Sequence, residues 1–194
     1  MSTAAVPGAQ AVAETRAWVE RAVIGLQLCP FAKAPHVKGQ VRYVHSAVTD
    51  AESLLGALVD ELKLIAAESP DRIETTLIVH PHVLTDFEDH NDFLEIAEAA
   101  LEALDLEGVV QIASFHPHYL FADSAPDDIA NATNRSPHPT LHLLREDSVE
   151  RALATFGEPA SIYQANIATM ERLGPDGWAV LQRQCRDAAE RESS

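Results

Sequence analysis

The chain has 194 residues, 46% of them apolar, with 30 acidic against 14 basic side chains. That length and balance suit one globular domain with a sizeable core. The net charge of −16 repels phosphate backbones and anionic lipid surfaces, so no nucleic-acid or membrane partner is expected, and no apolar run approaches the roughly 20 residues that span a bilayer.

Residues 1–9 read as a mobile tail ahead of a single domain over 10–194. The N-terminal stretch lacks a basic start and a continuous apolar block, so it does not read as a secretory signal. A cytoplasmic protein is expected, with Cys29 and Cys185 as reduced thiols. A first helix is expected from Gln10 to Gln27, where Val12, Val19, Val23 and Leu26 recur near helical spacing. The loop 30–39 holds two prolines and a glycine, together with Lys33, His36 and Lys38. With Arg42 these make a basic island in an acidic chain, and between Tyr43 and Asn134 only Lys63 and Arg72 are basic. Such an island is either solvated or an anchor for a small anion.

"QVRYVHS" alternates as a strand does. Thr49–Glu52 reads as a capping box for a helix carrying Leu54, Leu58, Leu62 and Ile65 on one face. "TTLIVHP" reads as a second, buried strand. Thr85–Glu88 caps a second helix with Phe87, Leu94, Ala97, Leu101 and Leu104 inward, and "VVQIASFHP" is a third strand. Residues 116–139 lack periodicity, apart from a short helix expected at Pro126–Ala130. So long a loop in a compact domain suggests a working role. "TLHLLR" is a fourth strand, antiparallel at an edge or inside. Three short helices follow, the first capped at Asp147–Glu150, the second starting at Pro159, the last two separated at Gly174-Pro175.

The expected architecture is therefore α/β: a βαβαβ core, a mostly parallel four-stranded mixed sheet, an N-terminal helix and three C-terminal helices. An elaborated ferredoxin-like α+β arrangement is the alternative.

Cys29 opens the motif "CPFA". It follows a helix rather than opening one, so the helix dipole disfavours its thiolate. A buried structural thiol is expected, with a nucleophile activated by His36 as the alternative. The first three strands end in His45, His80 and His116. Ligands of open α/β sheets bind beyond the carboxyl ends of strands, so parallel strands would line three imidazoles along one edge. His80 and His116 each begin a His-Pro-His tripeptide, where proline forces the chain out of the sheet. They are the expected catalytic acid–base pair. With Asp86, Asp89 or Asp123 they are also an expected site for a divalent transition metal, zinc or iron.

Arg135 either pairs with Asp127 or Asp128 or offers its planar fork to a substrate anion. Asn134 and His138 would help it bind that anion, and Lys33 and Lys38 would steer it. His142 reads as structural, and Trp18 and Trp178 as core or interface residues.

The stretches "GLQLCPFAKAPHVKGQVRYV", "LIVHPHVLTDFEDHNDFL", "ASFHPHYLFAD" and "APDDIANATNRSPHPTLHLLRE" together resemble a bacterial family known only as a domain of unknown function. The likeness runs from about Val12 to Trp178. It implies a bacterial cytosolic protein and brings no activity and no catalytic residues with it. Two functional classes follow from the residues. One is an enzyme acting on a small phosphate- or carboxylate-bearing molecule at the carboxyl edge of the sheet. The other is a non-catalytic ligand-binding or scaffold protein that uses its C-terminal helices as an interface, in a homo-oligomer or with another partner.

Overall fold

A computed structural model describes residues 7–156 and 159–192. Helix α1 (Gly8–Trp18) continues into a π-helical turn (Val19–Ile24), and a short α2 (Lys33–Val37) leads to β1 (Val41–His45). Then come α3 (Ala51–Ala67), β2 (Thr75–Val79), α4 (Phe87–Ala103) and β3 (Val110–Phe115). A 3-10 turn (Ile129–Asn134) lies in the long loop before β4 (Thr140–Arg145), α5 (Glu146–Phe156) and α6 (Pro159–Glu192). Residues 1–6 of the expected tail lie outside the described residues. The helix begins at Gly8, two residues before the expected Gln10.

The fold is α/β, with one correction to its sheet. The strand order is β1-β2-β4-β3. Only β1 and β2 pair in parallel; β4 pairs antiparallel with both β2 and β3, so the pairing is mostly antiparallel rather than mostly parallel. The first three strands still point the same way, because β4 reverses direction twice over. The reason is the loop 116–139, which returns the chain to the edge where β3 ended and sends β4 back between its predecessors.

Side-chain alternation sorts the core into two layers. Ile78, Val110, Leu141 and Leu143 face α3 and α4, where Leu54, Leu58, Phe93, Ala97 and Leu101 meet them. Leu77, Val41, Tyr43 and Phe115 face α1 and α6, packing with Trp18, Ala22, Met170 and Trp178. Helices on both faces distinguish this architecture from the ferredoxin-like alternative, which segregates them to one. Among the described residues, no helix is long and apolar enough to cross a membrane.

The caps are displaced by one residue from their sequence signature. Asp50, not Thr49, accepts the free N–H of Ser53, and Asp86, not Thr85, accepts from Glu88 and Asp89. A carboxylate is the stronger acceptor at the positive end of a helix. α5 starts at Glu146, directly after β4, ahead of its expected cap at Asp147. α6 is broken at Gly174, whose φ of 66° is open to glycine, with Pro175 restarting the helix as the sequence implies.

Arg145 ties the layers together at the amino edge. It donates to the carbonyls of Ile65, Glu68 and Ile73 at 2.6–3.1 Å, satisfying the exposed C-terminal carbonyls of α3 from the end of β4. Replacing it with leucine should cost about 2–4 kcal/mol of stability in denaturant unfolding. Arg145→Lys should recover less than half, because lysine lacks the Nε donor to Ile73 and the rigid planar fork that holds Nη2 among the three carbonyls. A loss below 1 kcal/mol in Arg145→Leu would show that the clamp is dispensable.

Candidate functional site

Because β1, β2 and β3 share a direction, His45, His80 and His116 do share the carboxyl edge. They do not share a face. His45 has the parity of Val41 and Tyr43 and turns toward α1, where a Cβ on Gly8 would collide with its ring. His80 and His116 have the parity of Ile78, Val110 and Ile112 and turn toward α4. β4 stands between their strands, a gap of two strand spacings or roughly 10 Å. His90 of α4 bridges them: its ring centroid lies 5.4 Å from His80 and 5.1 Å from His116. All three imidazoles are fully buried.

Hydrogen bonding fixes opposite tautomers in the pair. His80 Nδ1–H donates to the Val83 carbonyl at 3.0 Å, leaving Nε2 as an acceptor. His116 Nδ1 accepts the His118 N–H at 3.1 Å, so its proton sits on Nε2. The Nε2 atom of His80 and both nitrogens of His90 are buried without a hydrogen-bond partner, while the His116 ring faces the Leu84 and Thr85 backbone. Burial pushes the pKa of His80 down to about 4 and that of His90 to about 3, and lowers His116 as well, with smaller contributions from neighbouring imidazoles. The rings are therefore neutral at pH 7.

The metal expected at His80 and His116 lacks a ready ligand set. Among the described residues, no three His, Cys, Asp or Glu side chains are arranged to hold an ion. Asp86 is spent on capping α4, and Asp89 is exposed in the same first turn.

Sequence reasoning missed His90. Its signal was present: it falls on the inward stripe between Phe87 and Leu94 that the helical period marks.

On the opposite face, α1, α6 and residues 117 and 135–137 line an open-mouthed cavity of about 180 Å³. Glu14, Trp18, Arg135, Ser136, Trp178 and Arg186 are on its wall. Trp18 and Trp178, expected as core or interface residues, are buried and also line this space.

The Glu14 carboxylate meets His138 Nε2 at 2.7 Å and accepts from Gln10 at 2.9 Å; the paired side chains are only 14% and 12% exposed. The His138 hydrogen bond is the main reason that the Glu14 pKa is lowered, against the opposing effect of burial. Ser136 and Thr140 hydroxyls both donate to the His138 carbonyl, at 2.6 and 2.9 Å, and fix the turn that presents this imidazole.

Arg135 pairs with neither Asp127 nor Asp128. Its Nε and Nη2 donate to the carbonyls of Tyr119 and Pro126 at 3.1 and 3.0 Å, while Asp128 caps the 3-10 turn. Asn134 hydrogen-bonds the Tyr119 side chain. The loop is organised by Asn131, which is fully buried and bonds Phe121, Ser124 and Ala125.

The structure thus places Arg135 on the wall of one cavity, with His138 behind Glu14 of the same wall, and His80 and His116 in a separate nest. Lys33 and Lys38 join neither. They are exposed at the start and just past the end of α2, which leads into the amino end of β1, the edge opposite the strand-end histidines. Cys29 packs against the α1–α6 core and burial raises its thiol pKa, as suits a structural thiol. His142 meets the Thr75 hydroxyl at 2.6 Å within the sheet.

Comparison with known proteins adds one decisive match: the model of the family described as "Protein of unknown function (DUF1415)" spans residues 10–180. The chain belongs to the DUF1415 family. No curated protein and no solved structure matches it. The function of this DUF1415 chain must therefore be argued from the two constellations just described.

The nest yields a test with a definite sign. The folded pKa values of His80 and His90 lie below the unfolded value near 6.5, so the unfolded chain binds more protons between those limits. Stability is full above pH 6.5 and falls as pH drops toward 4. His90→Leu removes two unpartnered buried nitrogens and should leave the Tm at pH 7 unchanged or higher. The same variant should flatten the decline between pH 6.5 and 4. A loss of several degrees at pH 7 would mean that the His90 ring nitrogens make stabilising contacts.

Proposed function

We propose that this protein is an enzyme that binds a small anionic molecule in the cavity between α1 and α6 and exchanges a proton with it through the Glu14–His138 pair. One observation carries this reading: the Glu14 carboxylate, paired with a largely buried His138, stands on the wall of a cavity that also presents two guanidinium groups. Glu14, which lines the cavity, is the group placed to touch substrate. His138 stands behind it as the positioning partner that holds and stabilises its charge.

Arg135 and Arg186 are the anion-binding groups. Arg135 is held rigid by its two backbone carbonyl bonds, and burial disfavours its charge, which strengthens any pairing with an incoming anion. Arg186, exposed on α6, is the adaptable one. The acid–base role expected of His80 and His116 finds less support. Their rings are fully buried and neutral at pH 7, and neither lines the cavity, so they suit the scaffold beneath the edge.

The non-catalytic alternative needs an open apolar face on the terminal helices. Met170, Trp178, Cys185 and Ala189 are instead buried. Among the described residues, the exposed large apolar side chains on α6 are Tyr163 and Val180, far apart in sequence.

At fixed ionic strength and pH 7, millimolar small carboxylates or phosphate should raise the Tm of the wild-type protein, and Arg186→Gln should reduce that shift at least twofold. Arg135→Ala is a poor probe, since it also releases the loop from Tyr119 and Pro126. Calorimetric titration in two buffers of different ionisation enthalpy should report proton uptake on anion binding, because an anion beside Glu14 favours protonation of the pair. Glu14→Gln should abolish the uptake. Equal Tm shifts in wild type and Arg186→Gln would refute the anion site.

A further inference from the structure

We infer that the outer edge of β3 is an interaction surface and that its occupant is β3 of a second copy of this chain. The two strands pair antiparallel about a two-fold axis at Ala113 and join both sheets into one.

The sheet ends in two edge strands, β1 and β3. Every residue of the central β2 is buried, whereas all of β1 and residues Gln111 to Phe115 of β3 are partly exposed. An open edge offers unpaired N–H and C=O groups to any extended chain, and monomeric proteins blunt such edges with charge, proline or a bulge. β1 follows that rule: Arg42 stands in it, 38% exposed and paired with Glu61 at 2.8 Å. β3 does not. No Asp, Glu, Lys or Arg occurs from Gly108 to Ala122, in a chain of net charge −16. The ladder with β4 runs from Val110 to Phe115 without a bulge, and the first proline comes after the strand, at Pro117. Two copies of so acidic a chain approach most readily through neutral surface, and this edge provides it.

Backbone direction fixes which groups are free. The Glu146 N–H donates to the Val109 carbonyl, so Val109, Gln111, Ala113 and Phe115 turn their backbone groups toward β4. Ile112 and Ser114 turn theirs outward. On either side of them the edge is closed, by the Val110 N–H donating to Leu106 and the His116 N–H donating to Asn134. Among the described residues, no group hydrogen-bonds to the backbone of Ile112 or Ser114 on the outer side. An antiparallel second copy centred on Ala113 sets Ile112 opposite Ser114 of that copy, and Ser114 opposite its Ile112. Every outward N–H and C=O of these residues then has a partner. Pairing β3 with β1 of another copy would leave a free edge at each end and propagate into a filament, whereas the two-fold arrangement closes.

Sedimentation equilibrium of the full chain over about 1–200 µM tests the pairing. The weight-average mass should rise from the 21.1 kDa of one chain toward twice that value. Ser114→Lys sets a cation on the partly exposed edge, with a like charge diagonally across the axis. It should weaken dimerisation about tenfold, while the circular dichroism and Tm of dilute protein stay those of wild type. Cysteine crosslinking under a mild oxidant reads the register. Across the axis the two Ala113 Cα atoms form a non-hydrogen-bonded pair about 4.5 Å apart, inside disulfide range. Ala113→Cys should therefore give a reducible dimer above the wild-type background of Cys29 and Cys185. Val109 is 45% exposed, yet in this register it lies roughly 27 Å from its counterpart, so Val109→Cys should not crosslink. A wild-type chain that stays monomeric throughout the range would overturn the pairing. So would a dimer that a folded Ser114→Lys leaves intact, or one in which Ala113→Cys crosslinks no better than Val109→Cys.

Discussion

The insertion of an antiparallel β4 between β2 and β3 is the constraint on which the rest of this structure depends. β3 ends at the carboxyl edge and β4 must begin there, so both ends of the loop 116–139 are held at the same edge. Backbone bonds make the tie explicit: the His116 N–H donates to Asn134, and the His80 N–H to Pro139. A βαβ crossover would have carried the intervening residues away across a sheet face. Here they stay at the mouth of the sheet and deliver Arg135, Ser136 and His138 to it.

That same insertion separates two histidine populations. Strand parity sends His80 and His116 beneath the edge to meet His90, and sends His45 to the α1 side. The nest is a set of neutral rings in a low-dielectric place, with more ring nitrogens than partners. Native proteins rarely leave such groups bare, and buried polar groups of this kind are commonly satisfied by internal water. On the other face Glu14 has His138 and Gln10, and Arg135 has two carbonyls. Glu14 and Arg135 stand on the wall of a cavity, which is what favours them for the proposed chemistry. Charge is consistent with this choice. In a chain of net charge −16, an anion can be retained only where guanidinium groups are held locally.

The candidate site was partly legible in the residues. His138 and Arg135 stand in a loop whose length alone drew attention to it; Arg135 lines the cavity, and His138 is hydrogen-bonded to Glu14 on the same wall. Lys33 and Lys38 were misleading, because a cluster of charge in sequence says nothing about which end of a strand it precedes. Glu14 gave no signal at all: it is one of 30 acidic residues, set on an outwardly ordinary amphipathic helix. Its meaning comes from a partner 124 positions away. His90 could have been found, since a polar residue on an apolar helical stripe is a local inconsistency that asks for an explanation.

The sequence by itself determined most of the elements, though not α2, which lies in the stretch 30–39 expected as a loop: period-2 and period-3.6 patterns, prolines after strands and the Gly174-Pro175 break are local properties written in adjacent residues. It also determined that three strands end in histidine. Only the tertiary structure decided strand order, the faces on which those histidines lie and the pairing of Glu14 with His138. The physical reason is range. Local sterics and hydrogen bonding choose helix or strand within a few residues, whereas the position of β4 is set by the fit of two apolar layers against both faces of one sheet, and no short window of sequence contains that fit.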